Sequence, residues 1–199
     1  MNAYLYRVKK ILSESPLVII VNEEYDCSSS IDMPIVQEAL KDVHSDKRRE
    51  EIIFTRSLLH QELNLEKLEK DPIGRPTLTK GDVSISHSRS LYGICFDPKK
   101  YVGLDIEIIS EKPRRIKHKF QNNHELLFDR SDKELTRLWT LKEAVYKYLS
   151  RPGVLFAEQL FISKKEDHFQ ADYIVENSLV ESIKLKSIDF GNYIISFTI

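Results

Sequence analysis

The sequence predicts an α+β fold, because its helix-like and strand-like segments do not alternate regularly. The β-branched stretch LVIIV at Leu17–Val21 is typical of a strand, and the stretch between Ser131 and Ser150 is typical of a long helix. Four runs rich in β-type residues follow that helix: Leu160–Ser163, Phe169–Val175, Val180–Lys186 and Tyr193–Thr198. A doubly wound parallel sheet would need helices between such runs, so the pattern argues against it.

The first half of the chain contains further predicted elements. Ile35–Val43 has helical spacing, and Ser45 is placed to cap a helix that runs to about Leu63. VSISH and LYGICF form a predicted hairpin around Ser88–Ser90. Past the middle of the chain, Arg114–Phe120 is predicted to be a short helix.

The composition fits one compact globular unit, or two small lobes that share a core. The chain has 199 residues, of which 41% are hydrophobic and 31% are charged. A soft boundary at Asp97-Pro98-Lys99-Lys100 predicts an N-terminal lobe of residues 1–100 and a C-terminal lobe of residues 101–199.

Charge and cysteine content exclude several classes of function. The net charge is −1, so no global field directs the chain to nucleic acid or to a membrane. Cys27 and Cys95 lie far apart without metal-type spacing, which fits a reducing cytoplasm and predicts no disulfide framework. The sequence shows no signal-peptide pattern and no apolar run long enough to cross a bilayer, so we expect a cytoplasmic protein.

The stretch VGLDIEII is predicted to be a strand that carries Asp105 and Glu107 on one face. Their Cα atoms would be roughly 6.5–7 Å apart. Like charges at that distance repel each other, and a divalent cation would remove the conflict. The outer face of an edge strand, where both acids meet only water, explains the pattern equally well.

The stretch WTLKEAVYK lies within the long predicted helix, which an S-x-x-E capping box of Ser131 and Glu134 begins. Its predicted core stripe consists of Leu138, Leu141, Val145 and Leu149. Trp139, Glu143 and Lys147 share another face at i, i+4 spacing. An exposed Glu–Lys pair is worth only about 0.3–0.5 kcal/mol. The large aromatic in the same row favours a groove over a purely solvated face.

Together the strand and the helix supply three carboxylates, those of Asp105, Glu107 and Glu143. An all-oxygen set without Cys or His suits Mg²⁺ better than Zn²⁺. Mg²⁺ usually shares its coordination with substrate phosphates, which Lys147 would then face as a point charge. The combination predicts transfer of a phosphoryl-type group.

Two weaker signals lie upstream of these acids. His87 follows Ser86 in SISHS, at the end of a predicted strand, where it could contact a phosphate. A lone histidine is more often structural, and the GRP turn from Gly74 to Pro76 is ordinary turn chemistry by itself.

Taken in order, the motifs resemble those of the 4′-phosphopantetheinyl transferase superfamily, specifically its larger Sfp-type branch. They are the KRR…E…R-x-LL helix, GRP, SISHS, GLDIE and WTLKEAVYK, which together span Lys47–Lys147. The resemblance implies a pseudo-dimeric fold of two similar lobes with the active site between them. It also implies Mg²⁺-dependent transfer of the 4′-phosphopantetheine group of coenzyme A to a serine of an apo acyl or peptidyl carrier protein. The other product would be adenosine 3′,5′-bisphosphate, as for a holo-[acyl-carrier-protein] synthase.

The resemblance also implies roles for individual residues. Asp105, Glu107 and Glu143 would hold Mg²⁺ against the diphosphate, and Lys147 would stabilise charge on the phosphates. The residues implied to contact coenzyme A are Arg48, Arg56, Gly74, Arg75, Pro76, Ser86, His87 and Lys147. Arg56 would either bind phosphate or brace its helix.

The general base has two candidates. Glu125 in KFQNNHELL matches a recurrent glutamate of the family, and it would deprotonate the carrier serine directly or through water. Glu143 is the alternative. The chain departs from the family pattern in having GRP for the commoner GKP, and Ser88-Arg89 after His87 where a glycine is frequent.

Carrier proteins of this class are small, acidic helical domains. The basic cluster Lys112–Lys119 is predicted to steer such a partner by charge complementarity. An internal second lobe implies a monomer.

Two other interpretations of the sequence stay open. One is a binding or regulatory protein that keeps the fold without turnover, although a lapsed enzyme need not retain the three carboxylates and Lys147. The other is a Mg²⁺-dependent nucleotidyl or phosphoryl transferase of unrelated fold, which would be expected to show a glycine-rich phosphate loop that this sequence lacks.

Overall fold

The computed structural model describes residues 8–12 and 15–199. It divides into two compact units, with one boundary between Lys100 and Tyr101. The strands pair antiparallel in both units and are accompanied by helices, which confirms the predicted α+β class. No helix of the described residues is long and apolar enough to span a bilayer.

The first unit is built on an antiparallel sheet with the strand order β1-β2-β6-β5. Its elements are β1 (Val8–Leu12), β2 (Leu17–Asn22), α1 (Pro34–Leu40), α2 (Asp46–Leu63), β3 (Glu69–Lys70), β4 (Pro76–Thr77), β5 (Asp82–Ser88) and β6 (Leu91–Asp97). Apolar side chains of the central strands and of both helices form one core, which includes Ile19, Val36, Leu58 and Ile94. The strand β1 was not anticipated from the sequence.

The second helix of this unit has its predicted bounds, whereas the first ends at Leu40 and not at Val43. Ser45 caps α2, because its hydroxyl accepts a hydrogen bond from the Arg48 amide at 3.4 Å. The helix ends where Asn64 takes a left-handed conformation, with φ of 53°. The predicted hairpin is formed by β5 and β6, and Arg89 in its turn also has positive φ.

The second unit packs one long helix against an antiparallel sheet with the strand order β7-β11-β10-β9-β8. Its elements are β7 (Leu104–Ile108), α3 (Lys112–Ile116), a 3-10 turn (Lys117–Lys119), a 3-10 helix (Asn123–Arg130), α4 (Asp132–Leu149), α5 (Phe156–Gln159), β8 (Leu160–Lys164), β9 (Phe169–Val175), β10 (Ser178–Phe190) and β11 (Tyr193–Thr198).

The helix α4 follows the sequence pattern closely. Ser131 caps it by accepting a hydrogen bond from the Glu134 amide at 3.2 Å, and Ser150 ends it with positive φ. All members of the predicted core stripe are buried: Leu138, Leu141, Val145 and Leu149. The four β-rich runs are all strands, and β10 extends beyond its predicted bounds at both ends.

Candidate active site

The strand β7 lies at one edge of the second unit's sheet and carries the two predicted acids. Asp105 pairs with Ser196 across the sheet, and Glu107 pairs with Ile194. The solvated-edge interpretation is wrong for Asp105, which is only 6% exposed. The strand is at an edge, but α4 packs over it and removes this carboxylate from water.

Gly103 allows α4 to approach the strand so closely. A Cβ atom at this position would lie 1.9 Å from the carbonyl oxygen of Ala144. The glycine amide also donates to Thr198 Oγ1 at 3.0 Å, which fixes the start of β7 against β11. The glycine of GLDIE is therefore needed for the backbone contact that holds the acids of β7 beside α4.

We expect Gly103→Ala to lower the free energy of unfolding by about 3 kcal/mol or more, since the new methyl group meets a helix backbone that cannot yield cheaply. Urea denaturation measures the change. Gly191→Ala is the matched control: its Cβ would meet nothing within 4 Å, so only its φ of 59° opposes alanine. That control is expected to lose about 1 kcal/mol, and equal losses in the two variants would contradict the role given to Gly103.

Lys147 reaches from α4 to the acidic strand. Its Nζ atom donates to Asp105 Oδ1 at 2.8 Å and to the carbonyl oxygen of Leu104 at 2.9 Å. The lysine is partly exposed, whereas its carboxylate partner is nearly covered. The structure thus brings the helix lysine and the strand aspartate of the sequence prediction into direct contact.

Glu143 lies one helical turn before Lys147 and shares its electrostatic environment with the strand. Burial, together with the nearby negative charge of Asp105, raises the pKa of Glu143 to about 7. Glu107 adds to this rise, while Lys147 and Lys112 oppose it. Glu143 is therefore repelled electrostatically by both carboxylates of β7, and the repulsion from Asp105 is larger than that from Glu107.

The donor set suits a hard cation, although the acids do not form a closed cage. In residues 8–12 and 15–199, no three His, Cys, Asp or Glu side chains are arranged to hold a metal ion. Mg²⁺ is usually held by one or two carboxylates and completed by substrate phosphates, so a closed cage is not required. The repulsion between Glu143 and Asp105 is what a divalent cation would relieve. The residues fit such an ion by their chemistry, and the metal assignment stays a prediction.

Trp139 packs against the core of the second unit and is partly buried. Its ring packs edge-on against Phe120, with centroids 5.2 Å apart, and lies 5.9 Å from the ring of Phe156. These contacts account for the aromatic without a groove, and the groove interpretation stays a prediction. Glu143 and Lys147 face the acidic strand.

Glu125, the first candidate for the general base, is fully buried. Its carboxylate pairs with Lys142 Nζ at 2.8 Å and accepts hydrogen bonds from the amides of Ile162 and Asn122. Every oxygen is thus committed to the fold, and none is open to a substrate hydroxyl. The geometry favours a structural role for Glu125 and leaves Glu143 as the candidate base.

Lys142 is a buried charge that the sequence reasoning missed. It is also fully buried, and it donates to the carbonyl oxygens of Phe120, Phe156 and Leu160 as well as to Glu125. Burial lowers the pKa of Lys142, against the attraction of the carboxylate. Four acceptors around one nitrogen nevertheless suit a charged ammonium group.

In the first unit, Arg48 and His87 meet at one glutamate. Glu51 accepts from Arg48 Nη1 at 2.9 Å, and it pairs with His87 Nε2 at 2.8 Å. Burial opposes ionisation of this carboxyl, but the hydrogen bonds from Arg48 and His87 hold the pKa of Glu51 below its usual range. Arg48 and His87, two of the residues predicted to contact phosphate, therefore lie close together, and both bind the carboxylate of Glu51.

Arg56 lies two turns further along α2 and is only 7% exposed. Burial, together with the positive charge of Arg48, lowers the pKa of Arg56 to about 10. No carboxylate of the described residues offsets these two causes. A buried cation in that position is what an anion-binding site would contain.

The remaining predicted contacts of the first unit lie in other settings. Arg75 pairs with Asp82, and the Arg75 amide donates to Asp71 Oδ1 at 2.8 Å, so the GRP turn is braced internally. Gly74 adopts positive φ in that turn, and Pro76 begins β4. Ser86 is buried, and it faces the opposite side of β5 from His87.

The predicted basic steering cluster is largely neutralised. Arg114 pairs with Asp132 at 2.6 Å, and Lys117 pairs with Asp129 at 2.6 Å. Arg115 pairs with a glutamate one turn earlier in the chain. These pairs tie α3 to the segments that follow it, so reversing the charges would also disturb the fold.

Comparison with known proteins concerns the second unit. Residues 101–198 match the family model of the 4′-phosphopantetheinyl transferase superfamily, and no curated protein matches the chain. The matched range contains the acids of β7 together with Glu143 and Lys147, but none of the residues of the first unit. The match covers just under half of the chain, so it states what the second unit is similar to.

Proposed function

We propose that the chain is an Sfp-type 4′-phosphopantetheinyl transferase, which modifies a serine of an apo acyl or peptidyl carrier protein. Coenzyme A is the donor, and adenosine 3′,5′-bisphosphate is the other product. The observation that carries the proposal is the contact of Lys147 with Asp105 beside Glu143, inside the segment that matches the superfamily. The two-lobe arrangement with coenzyme A between similar lobes, a monomeric state and a cytoplasmic location are parts of the same proposal.

The proposed reaction exchanges one bond for another at the phosphorus atom of the pantetheine phosphate. The serine oxygen forms a new bond to that phosphorus, and the anhydride bond to the adenosine-bearing phosphate breaks. The serine loses its proton to a base, and the leaving phosphate takes the bonding electron pair. We assign the base to Glu143, since Glu125 is enclosed by the fold.

The acids of the second unit would hold Mg²⁺, which neutralises charge on the diphosphate when it is bound. Asp105 and Glu143 are its strongest candidate ligands, with Glu107 beside them. Lys147 remains close enough to Asp105 to bring a positive charge to the same place. It would stabilise the negative charge that develops on the leaving phosphate.

The first unit would bind the nucleotide end of coenzyme A. A phosphate group could replace Glu51 as the partner of Arg48 and His87, or bind beside that carboxylate through the guanidinium of Arg56. Arg56 is desolvated in the folded protein, and no carboxylate in the described part of the chain contributes to its pKa. A phosphate that binds there would therefore not have to displace an existing ion-pair partner.

Arg56→Met is expected to raise the Kd for adenosine 3′,5′-bisphosphate by about ten- to a hundred-fold, the equivalent of one charged hydrogen bond. Stability should be unchanged or increased, because a buried cation is removed. Isothermal titration calorimetry and urea denaturation measure the two quantities. Arg49→Met, an exposed change on the same helix, serves as the control. An unchanged Kd in Arg56→Met would assign this arginine to bracing the helix.

The proposed activity is tested by mass spectrometry. The purified chain, Mg²⁺, coenzyme A and an apo carrier protein are mixed, and the carrier is expected to gain one phosphopantetheine group. Removal of Mg²⁺ by a chelator should abolish the gain. Inactivity on a broad panel of apo carriers would favour a binding protein that has kept the fold without turnover.

A further inference from the structure

A cleft outside the candidate active site lies in the second unit. It has a volume of about 590 Å³, within the range of about 300–1,000 Å³ that is usual for binding sites. The end of the β8–β9 hairpin forms one wall, from Lys164 to Phe169, and β10 contributes Lys186–Asp189. The start of α4 and the end of the preceding 3-10 helix complete the lining.

One side of the cleft is an open strand edge. β9 pairs with β10 only as far as Leu185, which lies opposite Phe169. β11 pairs with the other side of β10 through this region, so among the described strands Lys186–Asp189 has a neighbour on one side only. This stretch is about 14 Å long at the usual rise of a strand. Its alternate residues direct their backbone amides and carbonyls towards the vacant side, where another strand could pair.

The unpaired charges of the cleft are mainly positive. Its basic residues without an ion pair in the described part of the chain are Arg130, Lys164, Lys165 and Lys186. Two of its acids are already engaged, since Arg137 binds Glu134 at 3.2 Å and Asp189 at 2.6 Å. A third, Asp167, is hydrogen-bonded to His168, and Glu166 is the one carboxylate of the lining without such a partner in the described part of the chain. An incoming ligand therefore meets more unpaired basic side chains than unpaired acidic ones.

Apolar side chains lie among these charges. Phe169 and Ile188 are partly exposed in the cleft, together with Leu127, which is 42% exposed, whereas Phe128 lies beneath them and is fully buried. Lysines on an edge strand can also serve only to prevent unwanted pairing. Protection against pairing requires neither a concave surface nor apolar side chains. The edge of β10 has a concave surface and apolar side chains, which favours binding of a ligand.

We propose that the cleft binds an extended acidic peptide as an additional strand along Lys186–Asp189 of β10. Backbone hydrogen bonds supply the pairing, as in other cases of strand addition. Acidic side chains of the peptide pair with Lys164, Lys165 and Lys186, and intervening apolar side chains rest on Phe169, Ile188 and Leu127. The partner is thus an acidic, unstructured segment, recognised at a place that contains none of the proposed catalytic residues.

The proposal is tested with a fluorescein-labelled octapeptide of alternating glutamate and valine. Fluorescence anisotropy should show saturable binding that weakens with added salt. The double variant Lys164→Glu/Lys165→Glu is expected to raise the Kd by about ten-fold or more, as for the loss of two charged contacts. Lys184→Glu is the control, since Lys184 is exposed on β10, the strand of the proposed binding edge, but lies where β9 already pairs.

Two further peptides separate strand addition from simple charge attraction. N-methylation of alternate residues removes backbone donors, and it should abolish binding if the peptide pairs with β10. The same octapeptide with lysine in place of glutamate should not bind. Binding that survives N-methylation would overturn the strand addition, and absence of binding by the acidic peptide would leave the lysines as edge protection only. Phosphopantetheine transfer to a free carrier domain should be unaffected by the double variant, so the result is independent of the proposed function.

Discussion

Glu143→Gln is expected to lower kcat/KM for carrier modification by about a thousand-fold, because it removes both a proposed Mg²⁺ ligand and the proposed base. The folded protein should lose no stability. Burial and the charge of Asp105 both oppose ionisation of Glu143, so a neutral amide of the same shape removes a repulsion. Steady-state kinetics with a purified apo carrier and urea denaturation measure the two effects.

The matched control is Glu134→Gln, the other glutamate of α4. Glu134 lies in the first turn of the helix and contacts Arg137 rather than the acidic strand. We expect the kcat/KM of the Glu134→Gln variant to stay within about two-fold of that of the unsubstituted protein, since surface substitutions of this kind are nearly neutral. A Glu143→Gln enzyme that retains more than a tenth of the activity would remove this residue from the catalytic centre.

Much of this site could be predicted because it depends on local periodicity. The period of two in GLDIE places Asp105 and Glu107 on one face, and the period of 3.6 in WTLKEAVYK places Glu143 and Lys147 in one row. Neither pattern predicts that the helix row with Glu143 and Lys147 contacts the strand face with Asp105 and Glu107. That contact depends on the close packing at Gly103, which only the tertiary structure reveals.

The sequence is least informative about residues whose partners lie far away along the chain. Glu125 matches a motif of acidic catalysts, yet its burial is set by Lys142 and by the amide of Ile162. A signal was present, since Lys142 lies four residues after Leu138 and three before Val145, within the apolar stripe. A lysine at such a position is either exposed by a distortion of the helix or buried with a partner.

The basic cluster shows the same limitation. A run of Lys and Arg between Lys112 and Lys119 predicts a positive surface when it is read alone. Asp129 and Asp132, more than ten residues later, neutralise two of its members. Carrier recognition by charge would therefore depend on the residues left outside these pairs, such as Lys119.

Lys142→Met is expected to lower the free energy of unfolding by about 3–5 kcal/mol, as for the removal of one partner from a buried ion pair. Methionine has a similar length but no donors. The carboxylate of Glu125 would stay buried without its counter-ion, and the carbonyl oxygens of Phe120, Phe156 and Leu160 would each lose a hydrogen bond. Trp139 is the only tryptophan, and it packs beside Phe120, so its fluorescence reports unfolding of this unit in urea.

Two further variants distinguish a lost ion pair from a loss of packing alone. Lys133→Met, on the same helix, breaks only an exposed pair with Asp189 and should cost less than about 1 kcal/mol. In the double variant Lys142→Met/Glu125→Gln the buried charge is gone, so about 1–3 kcal/mol of the loss should be recovered. Additive losses would mean that the lysine acts through its hydrogen bonds to the three carbonyls. In either case Lys142 holds the backbone at Phe120, Phe156 and Leu160 against α4, the helix that carries Glu143, so its burial helps to set the geometry of the acidic site.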